Sequence, residues 1–109
     1  MKIYLAGPMT GYPQHNFPAF DQERDRLKAL GHEVVSPADI SREMDAAAGV
    51  ESGALAWETY MDADLKAMET CAAVCLLPGW WHSRGATIER GRAITLGLMI
   101  VDSTNGGIK

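Results

Sequence analysis

Four short apolar runs divide the chain, and helical patterns lie between them. The runs are residues 2–6, 33–37, 72–77 and 98–101, and the first three end at or just before glycine or proline. Short runs bounded by turn residues are typical of strands that helices cover on both sides. The pattern predicts four β-strands, and we expect them to be parallel because helical segments separate them.

A first helix is predicted after the first strand. Asn16 and the Phe-Pro pair that follows are typical of a helix start, and Gly31 is typical of a helix end. Phe20, Leu27 and Leu30 recur between them at helical spacing. The helix is therefore amphipathic, with these three side chains on its buried face.

A second helix is predicted over residues 54–70. Trp57, Met61 and Met68 share one of its faces, and Asp64 lies on the same face. The pattern therefore points one carboxylate towards the interior.

A third helix follows the third strand. If Gly85 opens this helix, Glu89 shares a face with Ala86, Ala93 and Leu96, at offsets of three, four and seven residues. We expect this second carboxylate to point inward as well. A surface position is the alternative, because a glutamate is rarely buried without a partner.

Two segments carry weaker patterns. Residues 38–53 predict a short helix over residues 40–48, and we interpret the segment as a mobile excursion because periodicity does not define the rest. Residues 102–109 are polar, contain two glycines and are expected to fray.

The order of these elements predicts an α/β fold. We expect a single domain over residues 1–109, a Rossmann-like three-layer sandwich around a parallel sheet of four to five strands. A strand order of 2-1-3-4 would place the reversal point between the first and third strands, beside loops 7–12 and 78–84. We expect these two loops to form one pocket.

The first of these loops contains Gly7 and Gly11, which would let backbone N–H groups approach a phosphate or a sugar closely. Their spacing matches neither glycine-rich nucleotide fingerprint. A tight connection without ligand contact is therefore an equally open interpretation.

The composition is that of a globular protein, with 47% hydrophobic and 22% charged residues. The net charge is −4 and the basic residues are scattered, which argues against a nucleic-acid polymer as partner. No apolar run reaches the roughly 18 residues of a membrane span. Without a signal-peptide pattern at the start, we expect a cytoplasmic protein with no membrane partner.

Neither a metal nor a cofactor is expected. Cys71 and Cys75 are interpreted as buried, reduced thiols. His15, His32 and His82 lie too far apart in the sequence to suggest a zinc site. His82 alone falls in the second pocket loop, where a role in ligand binding is one option.

Two inward carboxylates, Asp64 and Glu89, beside such a pocket suit the cleavage of a glycosidic bond. The reaction needs a nucleophile or charge stabiliser at the anomeric carbon and a proton source for the leaving group. Two carboxylates in different environments can divide these roles. A salt bridge to each acid is the alternative interpretation.

Five segments carry a resemblance to a known family: IYLAGPMTG, NFPAF, WETYMDADLKAME, CLLPGW and SRGATIERGRA. In combination they resemble the nucleoside 2-deoxyribosyltransferase-like superfamily, in particular its small members that bacteriophages and prophages often encode. The resemblance covers nearly the whole chain and implies a flavodoxin-like fold.

The resemblance also implies roles for individual residues. Glu89 matches the nucleophile that attacks C1′ of the deoxyribose, Asp64 matches the acid that assists proton transfer to the base, and Tyr4 matches an aromatic residue near the nucleophile. Further residues expected to contact the substrate lie in the two pocket loops and at the start of the last helix: Gly7, Pro8, Trp80, Ser83 and Gly85.

Ser83 departs from the pattern of the transferases, which usually carry an Asp six residues before the nucleophile, in contact with the base. A serine there resembles the branch that hydrolyses deoxynucleoside 5′-monophosphates, in which the hydroxyl contacts the phosphate. The C-terminal extension with which transferases complete a neighbour's pocket also has no counterpart after the fourth strand.

We therefore expect cleavage or exchange of the N-glycosidic bond of a nucleoside, a deoxynucleoside or its 5′-monophosphate, through a covalent intermediate on Glu89. Hydrolysis is favoured over base transfer. A noncatalytic nucleotide-binding or sensing module with the same pocket is the alternative. We expect a homodimer or larger homo-oligomer, because the superfamily assembles in this way and because Trp57 and Tyr60 offer aromatic surface.

Overall fold

A parallel sheet of four strands forms the centre of the computed structural model, which describes residues 1–109. The strands are β1 (Lys2–Ala6), β2 (Glu33–Val35), β3 (Ala73–Leu76) and β4 (Met99–Asp102). Their order in the sheet is β2-β1-β3-β4, with all three pairings parallel, which confirms the predicted topology. The switch point therefore lies between β1 and β3, where ligands bind in open sheets of this kind.

Four helices cover the sheet: α1 (Phe17–Ala29), α2 (Pro37–Ala48), α3 (Trp57–Met68) and α4 (Arg84–Leu96). A serine side chain caps the first turn of α2 and of α4, and a glycine with positive φ ends both helices. No helix is both long enough and apolar enough to cross a lipid bilayer.

Side chains of the central strands alternate between two hydrophobic clusters. Ile3 and Leu5 face a cluster that includes Phe20 of α1, whereas Tyr4 faces a second cluster that includes Met68 of α3 and two alanines of α4. Because both faces of the sheet are covered, β1 and β3 are almost wholly apolar. The result is the expected three-layer, flavodoxin-like α/β architecture.

α2 begins at Pro37, three residues before the predicted helix over residues 40–48, and the segment interpreted as a mobile excursion is helical up to Ala48. Ser36 accepts a hydrogen bond from the backbone N–H of Ala38 at 3.2 Å, and the helix then continues regularly to Ala48. Ser41 and Asp45 are buried polar residues on its inner face, which is why the apolar period is hard to see in the sequence.

Two predicted core leucines are exposed. Leu30 is the residue that follows α1 and is 50% exposed, and Leu96 is the last residue of α4 and is 38% exposed. The predicted burial of both leucines is therefore wrong. Helical spacing shows which face of a helix is apolar, but it does not show where along the helix the neighbouring layer ends.

The C-terminal segment, which the sequence predicts to fray, makes contacts with the rest of the chain. The Asp102 carboxylate accepts a hydrogen bond from the N–H of Thr104 at 2.8 Å, which closes a short 3₁₀ turn. Arg26 of α1 donates to the carbonyl of Ile108 at 2.8 Å, and the Ile108 side chain is buried in the α1-side cluster. One apolar residue within a polar tail is therefore enough to anchor it.

Candidate active site

A cavity of about 680 Å³ opens at the switch point. Its wall combines residues 7–12 after β1, residues 82–85 at the start of α4, the inner face of α3, and parts of the connections that precede α1 and α3. The volume falls within the usual range of small-molecule sites, about 300–1,000 Å³. The predicted pocket between the two loops is thus present, although residues 78–81 of the second loop do not line it.

Gly7 and Pro8 both line this cavity, as predicted. A Cβ on Gly7 would lie 2.8 Å from Cβ of Leu77, which is closer than such atoms approach in proteins. The glycine is therefore required by the packing of β1 against the end of β3, independently of any ligand.

Asp64 projects from α3 into the cavity wall and is 5% exposed. Its Oδ1 atom is buried and has no hydrogen-bond partner. Burial without a partner penalises the charged form, and it raises the pKa of this carboxyl to about 7. Asp64 is therefore a carboxyl group that can hold a proton near neutral pH, facing the space where a ligand would lie.

Glu89 and Tyr4 lie directly behind the cavity surface. Glu89 is 4% exposed, Tyr4 is fully buried, and neither belongs to the cavity lining. The Tyr4 hydroxyl donates a hydrogen bond to Oε2 of Glu89. This bond orients the carboxylate and favours its ionised form.

Burial raises the pKa of Glu89 well above its usual range, and the nearby charge of Asp64 raises it further, while the Tyr4 hydrogen bond lowers it. Burial, together with the charge of Glu89, likewise raises the pKa of the Tyr4 phenol. Two buried carboxyl groups that repel each other's charge do not both ionise easily. The Asp64–Glu89 pair therefore retains at least one proton at neutral pH.

One end of the cavity, called here the α4 end, consists of residues 82–85 with the facing side of α3. Ser83 is the N-cap of α4, and its Oγ accepts a hydrogen bond from the N–H of Ala86 at 3.1 Å, which leaves its own O–H free to donate. The Arg84 guanidinium lies over the Trp57 ring, 4.3 Å from its centroid. This end thus combines a helix N-terminus with a positioned cation.

A second group of lining residues, called here the His15 end, consists of His15, Phe17, Gly53, Leu55 and Tyr60. The His15 and Phe17 ring centroids are 5.5 Å apart. A Cβ on Gly53 would lie 2.9 Å from the His15 ring, so the histidine rests directly against this backbone. None of the residues of the α4 end takes part in these contacts.

Trp80 was predicted to contact the substrate, but it does not line the cavity. Its indole N–H donates to the Asp102 carboxylate at 3.1 Å, and the Arg90 guanidinium lies 5.2 Å from its ring centroid. The aromatic ring therefore braces the loop after β3 against the end of β4. Aromatic content alone could not distinguish this role from ligand contact.

The aromatic argument for self-association also changes. Tyr60 donates to Asp45 at 2.5 Å, and Trp57 is half-buried beneath Arg84. Both rings are therefore used within the chain, and they no longer support an oligomer.

His15 is one of several lining residues that the sequence did not indicate. It lies outside every predicted element, in a stretch where Gln14, His15 and Asn16 all have positive φ angles, of 53°, 54° and 60°. Three consecutive non-glycine residues in this region are rare, and nothing in the sequence signals them. His82, by contrast, does line the cavity, as one of the interpretations allowed.

The open parallel sheet covered by helices on both faces defines an α/β protein of flavodoxin-like fold, and the cavity lies at its switch point. The chain belongs to the family described as a domain of unknown function, DUF4406, whose model matches residues 1–102. Among curated proteins, none matches the chain in sequence.

Two solved structures are similar to this chain. A 2-deoxyribosyltransferase from the psychrotolerant bacterium Bacillus psychrosaccharolyticus is 25% identical, with a TM-score of 0.71 over 94% of this chain and 71% of its own. A 2-deoxyribosyltransferase from Leishmania mexicana is 18% identical, with a TM-score of 0.67 over 93% of this chain and 62% of its own. The second likeness concerns the fold alone, and both agree with the resemblance in the five sequence segments.

Proposed function

We propose that the protein cleaves the N-glycosidic bond of a 2′-deoxynucleoside 5′-monophosphate, with Glu89 as nucleophile and Asp64 as proton donor. The observation that carries the proposal is the buried Asp64–Glu89 pair beneath the switch-point cavity. The likeness to a 2-deoxyribosyltransferase supports glycosyl transfer from a nucleoside as the class of chemistry.

In the first step, a carboxylate oxygen of Glu89 forms a bond to C1′ while the bond from C1′ to the base nitrogen breaks. The bonding electrons leave with the base, and Asp64 supplies the proton that neutralises it. In the second step, water attacks C1′ and passes a proton to Asp64, which frees the deoxyribose 5-phosphate and restores Glu89.

The division of roles follows from the surroundings of the two acids. Glu89 accepts the Tyr4 hydrogen bond, which stabilises a carboxylate, whereas Asp64 has an unpartnered oxygen facing the cavity. We assign the proton of the pair to Asp64 and the carboxylate form to Glu89, because the Tyr4 hydrogen bond is the interaction that favours ionisation of Glu89 against the effect of its burial. Its pKa of about 7 suits an acid that must donate and then recover a proton near neutral pH.

The phosphate is assigned to the α4 end. Backbone N–H groups in the first turn of a helix have no helical acceptor and attract anions. Ser83 has a free hydroxyl proton and brings no negative charge, and Arg84 and His82 line the same region. These features favour a monophosphate over a free nucleoside, and hydrolysis over exchange between free bases.

A noncatalytic binding module is the second candidate, and one observation favours it. Glu89 lies behind the cavity surface and not in its lining, so a bound nucleotide reaches the carboxylate only if the floor of the cavity moves. In that case the same cavity would bind a nucleotide without breaking the glycosidic bond.

The test is incubation with a panel of nucleosides and 5′-monophosphates, with chromatography to detect released base. We expect base release from at least one 2′-deoxynucleoside 5′-monophosphate, and none with Glu89→Gln. Glu58→Gln, at an exposed position of α3, is the matched control and should leave the rate unchanged. Binding without base release across the panel would favour the noncatalytic module.

We also propose that the protein forms a homodimer or a larger homo-oligomer, by analogy with its superfamily. Multi-angle light scattering at micromolar concentration should give a multiple of the 11.8 kDa chain mass. A monomer across the concentration range would refute this.

A further inference from the structure

The connection between α2 and α3, residues 49–56, is held by one pair of side chains, a buried aspartate and a half-buried tyrosine. Asp45 of α2 is 6% exposed, and its Oδ2 atom accepts a hydrogen bond from the N–H of Gly53 at 3.1 Å. The Tyr60 hydroxyl donates to Oδ1 of Asp45 at 2.5 Å and accepts from the N–H of Leu55 at 3.0 Å. Two backbone positions of the connection are thus fixed by a single network.

Asp45 has no cationic partner among the contacts of its carboxylate. A carboxylate removed from water without a counter-charge costs free energy unless hydrogen bonds satisfy it. Here the neutral donors are the Gly53 amide and the Tyr60 phenol. The same hydrogen bonds that join α2 to α3 also restrain Gly53 and Leu55, so the pair sets where the connection lies.

The opposite wall of the same end carries backbone strain. Gln14, His15 and Asn16 all adopt left-handed conformations, each of which costs about 1–3 kcal/mol for a non-glycine residue. Asn16 offsets part of this cost by donating from its side chain to the carbonyl of Pro8 at 2.9 Å. The strained turn brings the His15 ring onto Gly53, so the two walls meet.

We propose that the Asp45–Tyr60 pair is a positioning element that sets the His15 end of the cavity as the surface selecting the nucleobase. This inference rests on the proposed function, because the phosphate occupies the α4 end there and C1′ lies over Glu89. The base then extends towards His15, Phe17 and Leu55. The imidazole can donate a hydrogen bond to the edge of a base or accept one from it. The aromatic ring and the aliphatic side chain can pack against its faces.

The test compares ligands with and without a base. Affinities are measured by calorimetry for one 2′-deoxynucleoside 5′-monophosphate and for 2-deoxyribose 5-phosphate, in the Glu89→Gln background so that no turnover occurs. We expect Tyr60→Phe to weaken the nucleotide about fivefold or more, in line with the loss of a positioned hydrogen bond, and to leave the base-free ligand unchanged.

Three further measurements separate positioning from general instability. Amide hydrogen exchange at Gly53 and Leu55 should accelerate in Tyr60→Phe, while exchange in β1 stays unchanged. His15→Ala should reproduce the selective loss of nucleotide affinity from the opposite wall. Asp62→Asn, an exposed position on α3, should change none of these quantities.

Equal weakening of both ligands, or no weakening of either, would overturn the inference while leaving the proposed function standing. Unchanged exchange at Gly53 and Leu55 would overturn it as well, because the pair would then hold nothing in place. If the Glu89→Gln protein bound neither ligand and the wild type released no base, the proposed function and the inference would fall together.

Discussion

The two ends of the cavity differ in whether their polar side chains face the space where a ligand would lie. At the α4 end, the polar groups of Ser83 and Arg84 are available to a ligand, and the cap on α4 leaves a hydroxyl proton free. Next to the His15 end, the Asp45 carboxylate accepts hydrogen bonds from the Gly53 N–H and the Tyr60 hydroxyl and does not line the cavity. In the proposed function, the α4 end binds the phosphate directly, and the Asp45 network holds the wall of the His15 end in place.

A second serine cap sharpens this contrast. Ser36 caps α2 as Ser83 caps α4, but Ser36 is 2% exposed and lies away from the cavity. A capped helix start is therefore an anion site only where the fold leaves it open. The following predictions run from the largest expected effect to the smallest.

Glu89→Gln should remove the chemistry and leave both ends intact. We expect the rate of base release to fall on the order of 10⁴-fold, as for loss of a nucleophile, with monophosphate affinity retained. Single-turnover assays and calorimetry on the same preparation measure the two effects. Full activity in this variant would identify another nucleophile.

Asp64→Asn should slow base release by about 10²–10⁴-fold, and least for bases that leave without protonation. It should also change stability. Because the folded pKa of about 7 is above the unfolded value of 3.8, the native state binds more protons between these values, so stability falls as pH rises through this window.

Removing this carboxyl should therefore make the free energy of unfolding less dependent on pH from about 4 to 7, and at pH 8 it should remove a penalty of up to roughly 4 kcal/mol, the energy of the pKa difference. Urea denaturation at several pH values is the measurement. A variant whose free energy of unfolding varies with pH as steeply as that of the wild type would show that Asp64 is not the source of this pH dependence.

Ser83→Asp should weaken monophosphate binding by about tenfold or more and leave nucleoside binding nearly unchanged, because it places a negative charge at the α4 end. Aspartate is itself a good N-cap, so the start of α4 should persist. Ser83→Ala is the complementary control, since it removes the cap without adding charge. Equal affinity of the wild type for both ligands would favour base transfer between nucleosides over hydrolysis of a monophosphate.

Trp80→Phe should have the smallest effect on function. The variant loses the hydrogen bond to Asp102, and we expect a loss of about 1 kcal/mol in stability with unchanged affinity for the monophosphate. Thermal denaturation and calorimetry measure these quantities. A clear loss of affinity would place Trp80 at the ligand after all.

The four strands and, in position if not in full length, all four helices follow from the sequence, because apolar residues and turn residues alternate along the chain. The inward direction of Asp64 and Glu89 also follows from the sequence, since a carboxylate on an otherwise apolar helical face points towards the interior. Where hydrogen bonds replace apolar spacing, the sequence predicts less: it misses the first turn of α2 and the turn that contains His15. α2 carries Ser41 and Asp45 on its inner face, and the His15 turn depends on positive φ angles that no residue type announces.

Gly7 is required by packing, and this limits what a sequence match at this position says about function. The segment that contains it, IYLAGPMTG, contributes to the resemblance, yet a side chain at this glycine would collide with Leu77. Selection for packing alone would preserve such a glycine in descendants that have lost every ligand contact. A sequence search that depends on this segment therefore traces common ancestry of the scaffold, and inheritance of the reaction has to be judged from positions 64, 83 and 89.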